Sequence, residues 1–406
     1  MAEQIDVAIV GGGAAGIAAA RHLQKRGRTV LIIEALPRLG GRARTVQLEG
    51  MPLDLGCGWL HSADRNPLTA LAEANGWTID RSAAAWGEQL RDLRFTAAAQ
   101  REAWQAYERF VRQLATDPPS SDRASDALSA QDPWRAFVDG LSSFINGVET
   151  DALSARDFTA YEAASTDCNW RLPAGYGAFI ASLGAGLPAA LGTHVTAVSE
   201  DQGVALDTGR GTIRADAAIV TVSTEVLARG AIRFAPSADD HLHAAAKLPL
   251  GLADKIFLSL AKPDAVPPES HLLGRFDLAS TGSYYLRPFG RPIVECFLGG
   301  ANARALEGGD AAAFAIEELS GLLGADFAKG LAPLAVTRWG AEPTILGSYS
   351  HALPGHADAR AVLARPVSER LAFAGEACSA LDFSTAHGAW QSGIEAARRI
   401  DGALRR

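Results

Sequence analysis

Gly11, Gly13 and Gly16, followed by an acid at Glu34, are the residues whose types and spacing point most directly to chemistry. The run Ile5 to Val10 is short and almost wholly apolar, as a buried parallel strand requires, and it breaks straight into Gly11, Gly12 and Gly13. With Gly16 these residues spell GxGxxG: the first glycine allows a sharp turn, the second lets a pyrophosphate approach the backbone, and the third brings helix and sheet close together. A helix predicted from Ala14 to Lys25 aims its N-terminus at the phosphates. The following strand, Thr29 to Ile33, ends on Glu34, at the distance where a carboxylate holds a ribose hydroxyl. An acid there suits an unphosphorylated ribose, which disfavours NADP and leaves FAD or NAD. Strand, turn, helix, strand and acid in register are far more specific than the glycines alone.

The elements that must position this unit are spread along the chain. From Asn66 to about Trp134 the pattern is helical, as in Pro67 to Asn75 and Arg101 to Leu114, with a loop at Thr116 to Asp122 and a further helical stretch from Pro133 to Ala164. Arg171 to Gly177 reads as a turn opening another helix. Thr193 to Val198, Gly203 to Asp207, Gly211 to Arg214 and Ala217 to Val222 read as a small antiparallel meander followed by a buried strand. Ile256 to Leu260 is a strand with Lys255 at its entrance, Arg287 to Pro292 turns between two more strands, and Ala311 to Leu323 is a helix. Near the end, Leu371 to Ala374 is a buried strand, and Ser384 or Thr385 caps the last helix.

What separates FAD from NAD is the segment Leu39-Gly40-Gly41-Arg42-Ala43-Arg44-Thr45, which resembles the GGR motif of the flavin-containing amine oxidase superfamily. In that family backbone and arginine approach the FAD diphosphate, so the resemblance implies Gly41 and Arg42 as phosphate partners. Gly56-Cys57-Gly58-Trp59-Leu60-His61 resembles the segment passing near the flavin ring of polyamine and monoamine oxidases, which implies Gly58 and Trp59 against the cofactor and Trp59 and His61 against the substrate. Val195 matches a residue that brackets the adenine through its backbone, and Lys255 matches the lysine that holds a water next to flavin N5. Val336 to Gly340, with Trp339, and the Gly347-Ser348-Tyr349-Ser350 segment resemble the family's tryptophan strand and GSYS segment. Ser348 stands where animal monoamine oxidases carry the cysteine that bonds to flavin; serine forms no thioether, so the FAD is expected to be non-covalent. Phe373-Ala374-Gly375-Glu376 resembles the FAGE motif, which implies Gly375 and Glu376 at the cofactor, and the resemblance further implies that the helix opened by Thr385 and Ala386 points its N-terminus at the flavin N1/O2 edge. Free N–H groups there stabilise the charge of a reduced ring by roughly 0.3 to 2 kcal/mol. Tyr349 and Trp390 match the two walls of the aromatic cage that orients an amine.

The fold so implied is α/β: a FAD-binding domain of Rossmann type (1–75, 190–235 and 336–406) interleaved with a substrate domain of mixed sheet and helices (76–189 and 236–335). The reaction implied is oxidation of an amine by hydride transfer to flavin N5, hydrolysis of the imine to an aldehyde or ketone, and reoxidation by O2 giving H2O2. Lys255, Tyr349 and Trp390 would be its catalytic residues, and a small-molecule amine its substrate. Desaturases share the scaffold but usually lack the cage and the lysine. An L-amino acid oxidase would need an arginine facing the flavin, and Arg171, Arg275 and Arg287 remain open for that role. A non-enzymatic flavoprotein has no need of Lys255.

Global features agree with an enzyme of two domains in 406 residues. A net charge of -8 without a basic run gives no footprint for nucleic acid or an anionic membrane. Cys57, Cys168, Cys296 and Cys378 are scattered without metal-ligand spacing, which predicts no metal and four reduced thiols in a cytoplasmic protein. The first apolar run lacks a basic preface, so no secretory signal is expected, and no run reaches the ~18 residues of a membrane helix. The C-terminal anchor of the animal monoamine oxidases is therefore expected to be missing, and a homodimer is left open.

Overall fold

A computed structural model describes residues 5–405. Ile5–Val10 lies at the centre of the larger sheet, its residues from Val7 to Val10 buried. It pairs in parallel with Val30–Ile33 on one side, Val7 opposite Val30, and with Gly211–Val220 on the other, Val7 opposite Ala217. The helix Ala14–Gln24 links the first two strands and buries Ile17, Ala20 and Leu23. Val195–Glu200 and Val204–Thr208 form the antiparallel meander that continues into Gly211–Val220, and Leu371–Phe373 joins the latter in parallel. The two strands expected at 211–214 and 217–222 are one. Ala215 pairs at once with Val204 and with Ile5, so the antiparallel and parallel halves share a residue and leave no break.

The second sheet is antiparallel and runs in the order Ser270–Leu273, Ser283–Leu286, Ile293–Gly299, Ala253–Leu260, Leu331–Val336. Ala253–Leu260 is buried throughout except at Ser259. Lys255 is thus the third residue of a core strand, not a group at its entrance. The expected tryptophan strand is also shifted: the strand ends at Val336, and Trp339 sits in the turn that follows.

Helices fill the space beside this sheet. The helical stretch expected over 133–164 is broken into Arg135–Asn146 and Ala155–Ala164. The break falls at Gly147, whose φ of 73° and approach to Gly251 (a Cβ would lie 2.9 Å from its backbone) exclude other residues. Ser154 caps the second piece, its Oγ accepting from the Asp157 amide at 3.2 Å. The last helix, Ala386–Ala403, packs against Ala14–Gln24 so closely that a Cβ on Gly393 would come within 2.1 Å of the Ala15 carbonyl. Among the described residues no helix is long and apolar enough to cross a membrane.

Candidate active site

A cavity of about 920 Å³ runs from the glycine turn of the larger sheet to the face of the smaller one. Gly11, Gly13, Gly41, Glu34 and Val195 line its first end. Gly11 has φ 104°, and a Cβ there would strike Thr221 Oγ1 at 2.6 Å; at Gly13 nothing lies within 4 Å of where a Cβ would be. Gly16 does not reach the cavity, and its Cβ would sit 2.0 Å from the Gly11 carbonyl, so it serves helix–strand contact alone. The helix begins at Ala14 with no side-chain cap, which leaves its first amides free. A cradle open only at Gly13, backed by a helix N-terminus, fits a pyrophosphate.

Glu34 is buried and uses its carboxylate to brace this turn: Oε2 accepts from the Gly12 amide at 2.5 Å and Oε1 from the Leu36 amide at 2.7 Å. Burial pushes its pKa up against those two bonds. Each oxygen keeps a lone pair for a ribose hydroxyl.

Midway along the cavity stand Arg42, Ser348, Gly375, Glu376, Thr385 and Ala386. Arg42 Nη1 donates to the Ser348 carbonyl at 2.7 Å and to Glu376 Oε1 at 3.0 Å, and its other donors remain for an anion. Glu376 also accepts from the Ser350 hydroxyl at 2.6 Å and the Ser384 amide at 2.9 Å. Burial alone would raise its pKa, but the charges of Arg42 and Arg360 with these bonds hold it below the ordinary value. Glu376 therefore organises its neighbours rather than offering free oxygens. Behind it, Arg360 binds both oxygens of Asp157 through Nε and Nη2, at 2.6 and 2.7 Å, and donates from Nη1 to Ser350 Oγ at 2.9 Å. Neither Arg360 nor Asp157 has any signal in the sequence that marks it as part of this chain. Thr385, not Ser384, caps the last helix, accepting from the Gly388 amide at 3.0 Å. The Ser348 hydroxyl donates to the Ala253 carbonyl at 2.8 Å and accepts from the Ala253 amide at 2.9 Å.

The floor is built on Lys255. Its Nζ donates to the Asp54 carbonyl at 3.0 Å and pairs with Glu295 Oε1 at 2.7 Å. Glu295, in the neighbouring strand, went unremarked in the sequence, although a carboxylate inside the apolar run Ile293–Gly299 is a visible anomaly. Gly58 lies alongside, where a Cβ would be 3.3 Å from Lys255 Nζ. Trp339 walls one side and anchors its indole by donating to the Leu55 carbonyl at 3.1 Å.

The roof is aromatic. Trp59 packs on Trp86 at 4.4 Å between ring centroids and on Tyr285 at 6.0 Å. His61 Nδ1 bonds Asn169 Oδ1 at 2.8 Å, yet burial pushes its imidazole down to about 4, so it is neutral near pH ~7. Tyr349 donates to the Phe144 carbonyl at 2.6 Å, and burial raises its pKa, so its ring is a fixed neutral wall. Trp390 is different and corrects the expected cage. It does not line the cavity but is buried in the core cluster that also holds Ile17 and Leu23 of the helix Ala14–Gln24. Successive helical residues turn by about 100°, so Ala386 and Ala389 reach the cavity while Trp390, one position on, turns away from it into the core.

Of the arginines weighed for a carboxylate substrate, only Arg171 lines the cavity. It is paired with Asp80 and Glu269, each at 2.7 Å, and enclosed by Phe289, Trp59 and Tyr285 at 4.2, 4.8 and 5.1 Å. Arg275 pairs with Asp277 and Arg287 with Asp264, both outside the cavity.

A family model described as flavin containing amine oxidoreductase matches residues 14–401. The chain is 29% identical over 437 residues to polyamine oxidase 2 of Arabidopsis thaliana, covering 96% of this chain and 87% of the relative. It is 30% identical over 434 residues to polyamine oxidase 4 of Oryza sativa subsp. japonica, with the same coverage of 96% and 87%. Among solved structures, putrescine oxidase bound to putrescine superposes with a TM-score of 0.80 at 19% identity, over 98% of this chain and 99% of that one.

Proposed function

We propose, from the premise that this chain belongs to the family of flavin-containing amine oxidoreductases, that it oxidises a diamine or polyamine at the floor formed by Lys255. The family implies FAD, and the cradle described above fits it: the Gly11–Gly13 turn and Arg42 for the diphosphate, Glu34 for the ribose, the Val195 backbone for the adenine, and Gly375 with the Thr385–Ala386 helix start at the flavin edge. When bound in this cradle, FAD would supply the acceptor for a hydride equivalent from the amine α-carbon, with O2 as the final oxidant and H2O2 as its product. The imine left behind hydrolyses to an aldehyde or ketone.

The chain's own residues prepare that step. Lys255 carries three donors, of which Asp54 and Glu295 take two, leaving one for a water at the cofactor. Tyr349 and the Trp59–Trp86 pair hold the amine against this floor and exclude bulk water. The observation that carries the substrate class is at the far wall. Glu162 and Asp167 line the cavity, and among the described residues no cation pairs with either. Burial, with the charge of Asp167, raises the Glu162 pKa, a state that a second ammonium group of the substrate would relieve. The names of the polyamine oxidase relatives and of the putrescine-bound structure support the same class. An amino acid oxidase is not favoured, because Arg171 is already neutralised by two carboxylates. Four unpaired cysteines support a cytoplasmic setting. We assign 1–75, 190–235 and 336–406 to the cofactor and 76–189 and 236–335 to the substrate.

The test is anaerobic addition of putrescine, spermidine and benzylamine to the yellow protein. Bleaching by the first two and weak response to benzylamine is the expected result. Bleaching by an amino acid alone would replace this reading.

A further inference from the structure

Two carboxyl groups grip consecutive amides beneath the active-site floor. Asp254 Oδ1 accepts from the Trp339 amide at 3.0 Å, and Glu307 Oε1 accepts from the next one, Gly340, at 2.6 Å. Asp254 is 4% exposed, and its second oxygen, Oδ2, is buried with no hydrogen-bond donor to accept from. A buried ionised carboxylate needs partners for both oxygens, and a bare Oδ2 beside a second acid is costly in that form. As an acid O–H it is a donor, and Glu307 is the acceptor at hand.

We propose that Asp254 is a positioning residue that works in its protonated form, its Oδ2 hydroxyl donating to the Glu307 carboxylate, so that one shared proton clamps the Trp339–Gly340 turn and the backbone of Lys255. The clamp can be followed atom by atom. Thr337 donates its hydroxyl to Asp254 Oδ1 at 2.6 Å and accepts from the Lys255 amide at 2.8 Å, while the Thr337 amide donates to the Lys255 carbonyl at 2.9 Å. Trp339, held at its own amide by Asp254, walls the cavity above Lys255. Asp254 and Lys255 are neighbours in one strand and point to opposite faces, so the acid fixes the lysine from behind without touching the reacting groups.

Burial pushes the Asp254 carboxyl up to about 7, and Glu307 adds to this against the lowering bonds from Thr337 and Trp339. The groups facing it are few. Glu307 comes from the helix Gly300–Glu307, and the Tyr349 phenol, whose own pKa Asp254 helps to raise, from the strand Tyr349–Ser350. The strand beside it places Leu298 opposite, Arg304 of the same helix is engaged with the Leu250 carbonyl, and Arg338 in the turn is exposed. Lys255 and its partner Glu295 lie on the other face. No cation among these groups is paired with Asp254. Because the folded pKa lies above the unfolded value of 3.8, the stabilisation is complete below that value and is lost as pH rises through about 7.

Asp254→Asn is the natural test, since an amide reproduces the protonated acid, with Oδ1 accepting from Thr337 and Trp339 and Nδ2 donating to Glu307. The melting temperature of the FAD-bound wild type should fall relative to that of Asp254→Asn by several degrees between about pH 5 and about pH 8.5, and histidine titrations common to both cancel in the difference. Infrared difference spectra at about pH 6 should show a protonated-carboxyl C=O band in wild type that Asp254→Asn lacks. Asp254→Ala should lose stability at both pH values and Asp254→Asn should not. Parallel pH profiles for wild type and Asp254→Asn, or no carboxyl band, would overturn the shared proton. The consequence for Lys255 rests on the amine oxidase reading: amine-driven bleaching should decline at alkaline pH in wild type but not in Asp254→Asn. Diverging melting profiles in a protein that no amine bleaches would keep the clamp and remove that reading.

Discussion

The two ends of the cavity are built in opposite ways. The dinucleotide end is backbone geometry: the turn at Gly11, the open position at Gly13 and the close contact at Gly16 all fall within six residues of one another and need only short-range spacing. The amine end is made of side chains from distant segments: Trp59 from a loop, Lys255 and Glu295 from neighbouring strands of the second sheet, and Tyr349 from the short strand Tyr349–Ser350. A backbone site tolerates almost no change in the chain that forms it, whereas a side-chain site depends on packing that several residues share.

The sharpest way to break that comparison is within the glycine turn. Gly16→Val should prevent accumulation of folded protein, because its side chain must enter space held by the Gly11 carbonyl. Gly13→Ala should fold, since nothing lies within 4 Å of the new methyl, yet bind FAD roughly tenfold more weakly or worse, which equilibrium dialysis measures. Equal losses of folding in both would mean that Gly13 is a packing residue too.

Next in size is Trp390→Ala. A buried core tryptophan should cost about 3 to 5 kcal/mol in denaturant unfolding, with little change in amine KM for the protein that remains folded. A selective rise in KM would return Trp390 to the substrate wall. Glu34→Ala should weaken FAD binding by about 1.5 to 3 kcal/mol, since it removes a ribose acceptor and the brace on the Gly12 amide. Unchanged affinity would move the ribose elsewhere. Tyr349→Phe is the smallest, about 0.5 to 1.5 kcal/mol of stability for its bond to the Phe144 carbonyl, with the ring wall kept. A large fall in turnover in that variant would show that the hydroxyl, and not the ring, meets the substrate.

The same contrast explains what was legible in the sequence. The βαβ unit needs only an apolar run, glycines and an acid at fixed spacing, and its strand and helix fall within a residue or two of expectation. Trp390 was placed on the wrong side because a one-residue step on a helix rotates a side chain by about 100°, and only the partner helix shows which face is covered. Glu295 and Asp254 were visible as acids inside apolar strands, but their partners Lys255 and Glu307 come together only through strand pairing and a turn. Asp157 and Arg360 lie 203 positions apart and could not be joined from spacing at all.

The central claim is that Lys255 forms the reacting floor beneath a bound flavin. Lys255→Met fills similar volume, although it strips Glu295 of its partner, and should keep FAD because the cradle is built elsewhere. The decisive measurement is stopped-flow anaerobic reduction of the FAD-loaded wild type and Lys255→Met by putrescine or spermidine, followed by mixing of the reduced proteins with oxygen. Normal flavin content with at least one half-reaction slowed about tenfold or more is the predicted result. Wild-type rates in both half-reactions at normal flavin content would contradict the account and leave a FAD-binding fold whose chemistry lies elsewhere.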